Sequence, residues 1–273
     1  MILSLADSIR SARDAAGVAL MPFVAAGYPT VEASVEILKA LDLPGIGAIE
    51  IGFPFSDPTA DGPVIQEAFA DTLSKGTRIG DLFAAIGKAR GEISKPYIAM
   101  VSYSIVFRYG VERFFAEARS AGFAGILCPD LPPPEAQSVC AKVRAAGLDT
   151  VLLVAPSTTD RRRTEIANLC TGFVYYLSVA GITGERDRLP ADLEANVRQL
   201  KSITAVPVCI GFGISQRKHL EQLIGVGDGA IVGTALVRVV KQNVEASPAE
   251  VAQAVRAYCA TLLDQRSETL VAQ

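Results

Sequence analysis

Between residues 49 and 63 the chain reads Ile49-Glu50-Ile51-Gly52-Phe53-Pro54-Phe55-Ser56-Asp57-Pro58-Thr59-Ala60-Asp61-Gly62-Pro63. Apolar residues at alternate positions at the start of this stretch predict a buried β-strand. Glu50 lies inside that strand, and burying a carboxylate is costly unless it has a partner or a function. The loop that follows is stiffened by prolines and carries two further acids, Asp57 and Asp61. An acid at the end of a strand, facing an acidic loop, predicts an acid/base pair.

Strand-like apolar runs alternate with amphipathic helical stretches along the whole chain. We predict strands at Ala19–Ala25, Gly47–Phe53, Tyr97–Ser102, Gly125–Cys128, Thr150–Ala155, Gly172–Ser178, Pro207–Gly211 and Asp228–Gly233. Helical stretches between them include Val31–Leu41, Val111–Ser120, Pro134–Ala146 and Leu193–Ile203. Such an alternation over about 250 residues is typical of a closed (β/α)8 TIM barrel, an α/β fold.

We therefore expect a single TIM-barrel domain over residues 1–273. Extra helices are predicted before the first strand, after the acidic loop, and as a final packing helix within 247–273. The alternative is an open, doubly wound sheet. It is disfavoured because the turn after the first strand, Ala26-Gly27-Tyr28-Pro29, is not a glycine-rich dinucleotide fingerprint.

Composition narrows the classes of function. The chain has 273 residues, half of them hydrophobic, and a net charge of −3, so no basic surface for nucleic acid is expected. No apolar run approaches the roughly 18 residues of a membrane helix, and the N-terminus lacks the pattern of a signal peptide. The five cysteines are scattered and form no C-x-x-C pair. We expect reduced thiols and a cytoplasmic protein.

Glycine-rich loops follow three consecutive predicted strands. They are Gly181-Ile182-Thr183-Gly184, Gly211-Phe212-Gly213-Ile214-Ser215 and Gly233-Thr234. Glycine lets the backbone approach a ligand closely, and a helix N-terminus offers free N–H groups to an anion. Barrels of this type often bind phosphate with the loops after strands seven and eight. A phosphate site is therefore favoured over simple turn chemistry.

Other catalytic chemistries find little support. The one histidine, His219, lies in a predicted helix with no metal cluster near it, and no lysine lies on the interior face of a strand for a Schiff base. An acid/base site with a phosphate anchor, without metal or cofactor, remains. Tyr175 lies in strand six, and apolar residues on or at the ends of strands could form a slot for a flat aromatic substrate: Phe23, Met100, Leu127, Leu153 and Phe212.

The acidic stretch resembles, nearly residue for residue, the E-[IL]-G-x-P-F-S-D-P-x-A-D-G-P signature of the tryptophan synthase α chain family. The similarity covers nearly the whole chain, including Pro129-Asp130-Leu131-Pro132 and the glycine loops. It implies cleavage of indole-3-glycerol phosphate to indole and glyceraldehyde 3-phosphate, a step of tryptophan biosynthesis. It also implies a partner β chain that uses pyridoxal phosphate, in an α2β2 heterotetramer.

The resemblance implies roles for individual residues. Glu50 and Asp61 match the catalytic pair, and Tyr175 matches an active-site tyrosine. The phosphate-loop positions are matched by Gly184, Gly213, Gly233 and Thr234, and indole-pocket positions by Phe23 and Phe212, to which we add Met100 and Leu127. The stretch Ala180–Leu189, which contains Thr183, is predicted to be a lid over the substrate.

The sequence departs from the family after strand three. The family usually reads M-[ST]-Y-x-N, whereas this chain has Met100-Val101-Ser102-Tyr103-Ser104. Both serines are expected at the barrel mouth, on the side that the family uses for its partner. Two alternatives stay open, a stand-alone lyase that releases indole and a non-catalytic paralogue that binds a β chain, although intact Glu50 and Asp61 argue against the second. A different phosphate-binding barrel enzyme, such as an isomerase of the same pathway, lacks support because this chain has none of the strand-end lysines expected of it.

Overall fold

Eight parallel strands close into one barrel in the computed structural model, each paired with the next and β8 with β1. The structure describes residues 4–58, 61–178, 190–211 and 213–264. The strands are β1 Ala19–Ala25, β2 Ile49–Gly52, β3 Tyr97–Met100, β4 Gly125–Leu127, β5 Asp149–Val154, β6 Phe173–Leu177, β7 Val208–Gly211 and β8 Gly229–Val232. The predicted TIM barrel is confirmed, with every strand at its predicted place.

Helices separate the strands and cover the outside of the barrel. They are α1 Leu5–Ala16, α2 Val31–Ala40, α3 Pro63–Ser74, α4 Ile79–Ala89, α5 Tyr103–Tyr109, α6 Val111–Ser120, α7 Ala136–Ala145, α8 Asp160–Leu169, α9 Leu193–Ile203, α10 Arg217–Glu221, α11 Thr234–Gln242 and α12 Pro248–Leu263. The extra helices predicted before β1 and after the acidic loop are α1 and α3. Element ends differ from the predictions by one or two residues, for example at β2, where Pro54 cannot continue the ladder.

Helix α1 closes the end of the barrel where the strands begin. Ser4 caps its start by accepting a hydrogen bond from the Asp7 N–H, and its apolar face is buried. Leu5 and Ile9 pack so closely beneath the strands that a Cβ on Gly172 or Gly47 would lie 2.6 Å or 3.1 Å from them. With this end filled, the opposite end, where the strands finish, is left for a ligand.

The interior of the barrel is lined by every second residue of each strand. Met21, Ile98, Val151 and Phe173 are fully buried there and form one apolar cluster with the apolar face of α1. Glu50, in register with Ile98, and Tyr175 also face this interior. The candidate site therefore lies directly above this buried apolar cluster.

The last helix, α12, packs across α2 on the outside of the barrel. Ser247 and Glu250 form a reciprocal capping box at its start, with Pro248 in the first turn. The predicted final helix is confirmed as far as Leu263, and residues 265–273 lie outside the described ranges. In the described residues, none of the helices combines the length and apolar character that crossing a bilayer requires.

Candidate active site

Glu50 lies in the middle of β2 with its side chain inside the barrel. Its neighbours in register are Phe23 on β1 and Ile98 on β3, both apolar and buried. Glu50 is 1% exposed, and within the described residues neither carboxylate oxygen has a hydrogen-bond partner. Burial, assisted by the nearby charge of Asp61, raises the pKa of Glu50 to about 8. A carboxyl group in this state holds its proton at neutral pH and can deliver it.

Asp61 lies in the acidic loop that connects β2 to α3. Its backbone N–H donates to the Pro58 carbonyl, and the Gln66 side chain donates to the carbonyls of both Asp61 and Pro58. Gln66 belongs to α3, so the helix fixes the end of the loop. Burial raises the pKa of Asp61 to about 6. At neutral pH Asp61 is thus mainly ionised while Glu50 is mainly protonated, and two groups held in opposite states can share acid and base work.

Tyr175 lies on β6, buried in the barrel interior at 9% exposure. Its ring rests against Gly211 at the end of β7, where a Cβ would lie 2.7 Å from the ring. Burial raises the pKa of Tyr175 well above its ordinary value, and the charges of Glu50 and Asp61 raise it further. The three predicted catalytic residues therefore share one electrostatic environment, formed by the interior faces of β2 and β6 and by the acidic loop that follows β2.

A cavity adjoins Asp61, between the acidic loop and the ends of β3 and β4. Asp57, Asp61, Met100, Ser102 and Asp130 line it together with apolar side chains. Its walls are thus part acidic and part apolar, as a pocket for an aromatic ring with a polar handle requires.

The predicted apolar slot is only partly assembled at this cavity. Met100 lines the cavity, and Leu127 lies fully buried in the same interior cluster as Tyr175. Phe23 occupies the space above Gly52, whose added Cβ would lie 2.4 Å from the phenyl ring. Phe212 lies outside the described residues.

The predicted phosphate loops follow β7 and β8, which are neighbours in the barrel. Gly213 has a φ of +49°, a left-handed conformation that favours glycine. Gly233 precedes α11, and Thr234 is the first residue of that helix, which no side chain caps. The first N–H groups of α11 are of the kind that a helix leaves free for an anion. The predicted positions Gly184 and Thr183, and the lid 180–189, lie outside the described residues.

Two groups of contacts were not foreseen from the sequence. Asp130 accepts hydrogen bonds from the Ser102 hydroxyl at 2.6 Å and from the Tyr103 N–H at 2.7 Å, and Ser102 also contacts Ser104 at 2.7 Å. Asp130 thus anchors the start of α5 and bonds directly to Ser102, which in turn bonds to Ser104. The second group, behind the Gly213 loop, involves His219. Asp130 and Ser102 are 28 residues apart, so no local pattern links them, and the four-residue spacing of Ser215 and His219 does not by itself indicate a contact.

Among the described residues no three side chains of His, Cys, Asp or Glu come together in an arrangement that could hold a metal ion. The site consists instead of a buried acid pair, a tyrosine, a mixed cavity and two glycine loops. A (β/α)8 barrel with this set at the carboxyl ends of its strands defines an enzyme of the acid–base class.

Comparison with known proteins gives the family. A model described as Tryptophan synthase alpha chain matches residues 9–266. The tryptophan synthase alpha chain of Prochlorococcus marinus (strain MIT 9313) is 44% identical over 245 residues, 89% of this chain and 88% of that protein. That of Rippkaea orientalis (strain PCC 8801 / RF-1) is 38% identical over 260 residues, 95% of this chain and 96% of the relative.

Solved structures agree. A mutant tryptophan synthase alpha-subunit from the hyperthermophile Pyrococcus furiosus superposes with a TM-score of 0.82 at 36% identity, covering 90% of this chain and 98% of that one. The chain belongs to the tryptophan synthase alpha chain family. It is an enzyme subunit of tryptophan biosynthesis, and the activity of its family is the cleavage of indole-3-glycerol phosphate.

Proposed function

We propose that this chain cleaves indole-3-glycerol phosphate to indole and glyceraldehyde 3-phosphate by a retro-aldol reaction in which Glu50 and Asp61 are the catalytic acids. The observation that carries the proposal is the state of Glu50. Its carboxyl group is buried, has no hydrogen-bond partner in the described residues, and has its pKa raised to about 8. A group kept at such a cost is suited to proton transfer.

The reaction needs two proton transfers at the bond between the indole ring and the glycerol chain. Protonated Glu50 gives its proton to indole C3, which turns that carbon tetrahedral and leaves Glu50 ionised. The carbon–carbon bond then breaks, and its electron pair returns to the indole ring. Glu50 takes the proton of the chain hydroxyl as the aldehyde forms, so it ends protonated as it began. No net proton is consumed.

Asp61 assists from the other side of the ring. C3 accepts a proton only if the indole nitrogen supplies electron density, which leaves positive charge on its N–H. The ionised Asp61 accepts a hydrogen bond from that N–H and stabilises this charge. The pKa of Asp61, about 6, keeps it ionised at neutral pH. Tyr175 borders the same space from β6.

The rest of the substrate is held by the loops and the apolar wall. The N–H groups of the Gly213 loop and of the first turn of α11, at Gly233 and Thr234, bind the phosphate. Met100 and Leu127 support the indole ring, with Phe23 closing the side next to Glu50. From the resemblance of the sequence, we assign Gly184 to the phosphate site, Thr183 to the lid and Phe212 to the indole pocket.

The family implies a β chain as the partner. We assign the mouth of the barrel near the acidic loop and Ser102 to that contact, and an α2β2 assembly in the cytoplasm. The Ser102 hydroxyl already bonds to Asp130 and to the Ser104 hydroxyl, which leaves both serines less able to reach a partner than longer polar side chains. This observation favours weak binding of the β chain. If the β chain does not bind at all, the chain is a stand-alone lyase that releases indole.

The test is the turnover of indole-3-glycerol phosphate by the purified chain, with and without a tryptophan synthase β chain. We expect indole and glyceraldehyde 3-phosphate in equal amounts, and at least about tenfold stimulation by the β chain because partner binding orders the catalytic groups. Full activity without stimulation would instead identify the stand-alone lyase. Absence of both products would refute the proposed reaction.

A further inference from the structure

The backbone of Ser215 is held from two sides behind the Gly213 loop. Its N–H donates a hydrogen bond to His219 Nδ1 at 3.2 Å, and its carbonyl accepts one from the Tyr258 hydroxyl at 3.0 Å. His219 belongs to the short helix α10, four residues after Ser215. Tyr258 belongs to α12 and lies 43 residues after Ser215. One local and one distant contact therefore converge on a single residue.

The chemistry of these contacts fixes the state of the histidine. A backbone N–H can only donate, so Nδ1 must be unprotonated to accept from Ser215. His219 is 1% exposed. The Ser215 N–H is partly buried, so the loss of this acceptor would leave a polar group that water satisfies only in part, and the contact resists rearrangement.

The position of Ser215 gives the contacts a functional meaning. It lies two residues after Gly213, whose φ of +49° marks a part of the loop with wide conformational freedom. Bonds to both the N–H and the carbonyl of Ser215 set the orientation of the peptide groups on each side of it. Backbone N–H groups bind an anion well only when they are already oriented towards it. The N–H of Ser215 is itself occupied, so Ser215 serves as an anchor and not as a phosphate ligand.

We propose that His219 and Tyr258 are positioning residues for substrate phosphate, acting through the backbone of Ser215 without touching the substrate. The inference rests on the proposed function, in which the Gly213 loop binds the phosphate. A merely structural role for the pair predicts a loss of stability, whereas a positioning role predicts a loss of phosphate affinity at unchanged chemistry.

The first test replaces the acceptor. His219→Leu removes Nδ1 at similar volume, whereas His219→Asn keeps an acceptor oxygen close to the Nδ1 position. We expect the leucine variant to raise KM for indole-3-glycerol phosphate by about tenfold, with kcat within about twofold of wild type, since one hydrogen bond is lost from the binding loop. His219→Asn should recover most of the affinity. A leucine variant with wild-type KM, or one in which kcat falls and KM does not change, would overturn the proposal.

The second test removes one oxygen atom and provides for the case that His219→Leu does not fold. Tyr258→Phe should raise KM about threefold through the loss of the bond to the Ser215 carbonyl. Tyr97→Phe is a matched control, because the Tyr97 hydroxyl also donates to a backbone carbonyl, that of Ala121 at 2.8 Å, at the opposite end of the barrel. Equal KM values for Tyr258→Phe and wild type, or an equal rise in the control, would contradict the positioning role.

Binding of inorganic phosphate, followed by phosphorus NMR, separates this inference from the proposed reaction. Failure of wild type to cleave indole-3-glycerol phosphate would refute the reaction but leave the phosphate titration informative. We expect the affinity for inorganic phosphate to be highest in wild type, lower in His219→Asn and lowest in His219→Leu. The Ser215 amide should exchange its hydrogen faster in His219→Leu than in wild type. Unchanged phosphate affinity in both His219→Leu and Tyr258→Phe would refute the inference whatever the enzyme's activity.

Discussion

Two buried carboxylates at opposite ends of the barrel differ in their hydrogen-bond partners. Asp228 lies at the start of β8, 4% exposed, and receives hydrogen bonds from Arg13 at 2.7 Å, Lys201 at 3.0 Å and the Val208 N–H at 2.9 Å. Glu50, 1% exposed near the other end, receives none from the described residues. The two groups have the same chemistry and nearly the same burial, but they differ in their partners.

The difference appears in their proton affinities. Burial alone would raise the pKa of Asp228, but the Val208 N–H, Arg13 and Lys201 outweigh it and lower the pKa below the ordinary value. With no such donors, burial raises the pKa of Glu50 to about 8. Asp228 ties α1, α9 and β7 together at the closed end. Glu50 costs stability at the open end, and in the proposed reaction it supplies the transferable proton, a trade-off that functional sites often make.

The largest expected effect is on turnover. Glu50→Gln and Asp61→Asn should each lower kcat by about a hundredfold or more, since general acid–base catalysis commonly contributes 10²–10⁴-fold. Asp228→Asn should retain most of the activity per folded molecule. Steady-state assays on the three purified variants test the contrast. A Glu50→Gln variant with more than about a tenth of wild-type turnover would remove Glu50 from the mechanism.

The second-largest expected effect is the dependence of kcat/KM on pH. The proposed mechanism needs protonated Glu50 and ionised Asp61, whose pKa values are about 8 and about 6. We expect kcat/KM to be greatest between these values and to fall about tenfold per pH unit well below the lower and well above the upper. Asp61→Asn should flatten the acidic limb of its residual activity. A wild-type profile that is level from pH 5 to pH 9 would show that these two carboxyl groups do not control the rate.

A third prediction concerns the stability provided by Asp228. Asp228→Asn should lower the free energy of unfolding by about 2 kcal/mol at neutral pH, because it removes the negative partner of Arg13 and Lys201, whose side chains are each about one-third exposed. Its folded pKa is lowered, so the stabilisation is present above the ordinary value of 3.8 and is lost as pH falls through the folded value. Urea unfolding of variant and wild type at neutral pH measures the difference. Asp7→Asn, which weakens an exposed ion pair with Arg10, is a control expected to cost little.

The fold and the acid pair could be predicted from the sequence, but the contacts that surround the site could not. Strand positions could be predicted because each strand is a short apolar run between turn residues, and such periodicity is local. Glu50 was visible as an acid within such a run, and Asp61 as an acid in the loop beside it. The contacts of Asp130 with Ser102, and of Tyr258 with Ser215, join residues 28 and 43 positions apart. No pattern in a single sequence links them, because tertiary packing alone makes them neighbours.

The last prediction reverses the usual expectation for a catalytic mutation: Glu50→Gln should make the protein more stable. The folded pKa of Glu50 is raised from 4.5 to about 8, so the folded state binds the proton more tightly than the unfolded chain does. Between these two values unfolding releases a proton, and the free energy of unfolding falls as pH rises. Glutamine does not titrate and escapes this penalty, which is on the order of 3 kcal/mol near pH 7.

The advantage of Glu50→Gln over wild type should therefore be greatest at pH 8 and shrink towards pH 5. Urea unfolding of both proteins at pH 5, 6.5 and 8 measures it. Asp61, whose pKa is also raised, affects both proteins and largely cancels in the difference. A difference that does not change with pH would mean that Glu50 is already satisfied by some donor in the folded state. In that event the contrast with Asp228 would fail, and the unpartnered carboxyl could not be the source of the catalytic proton.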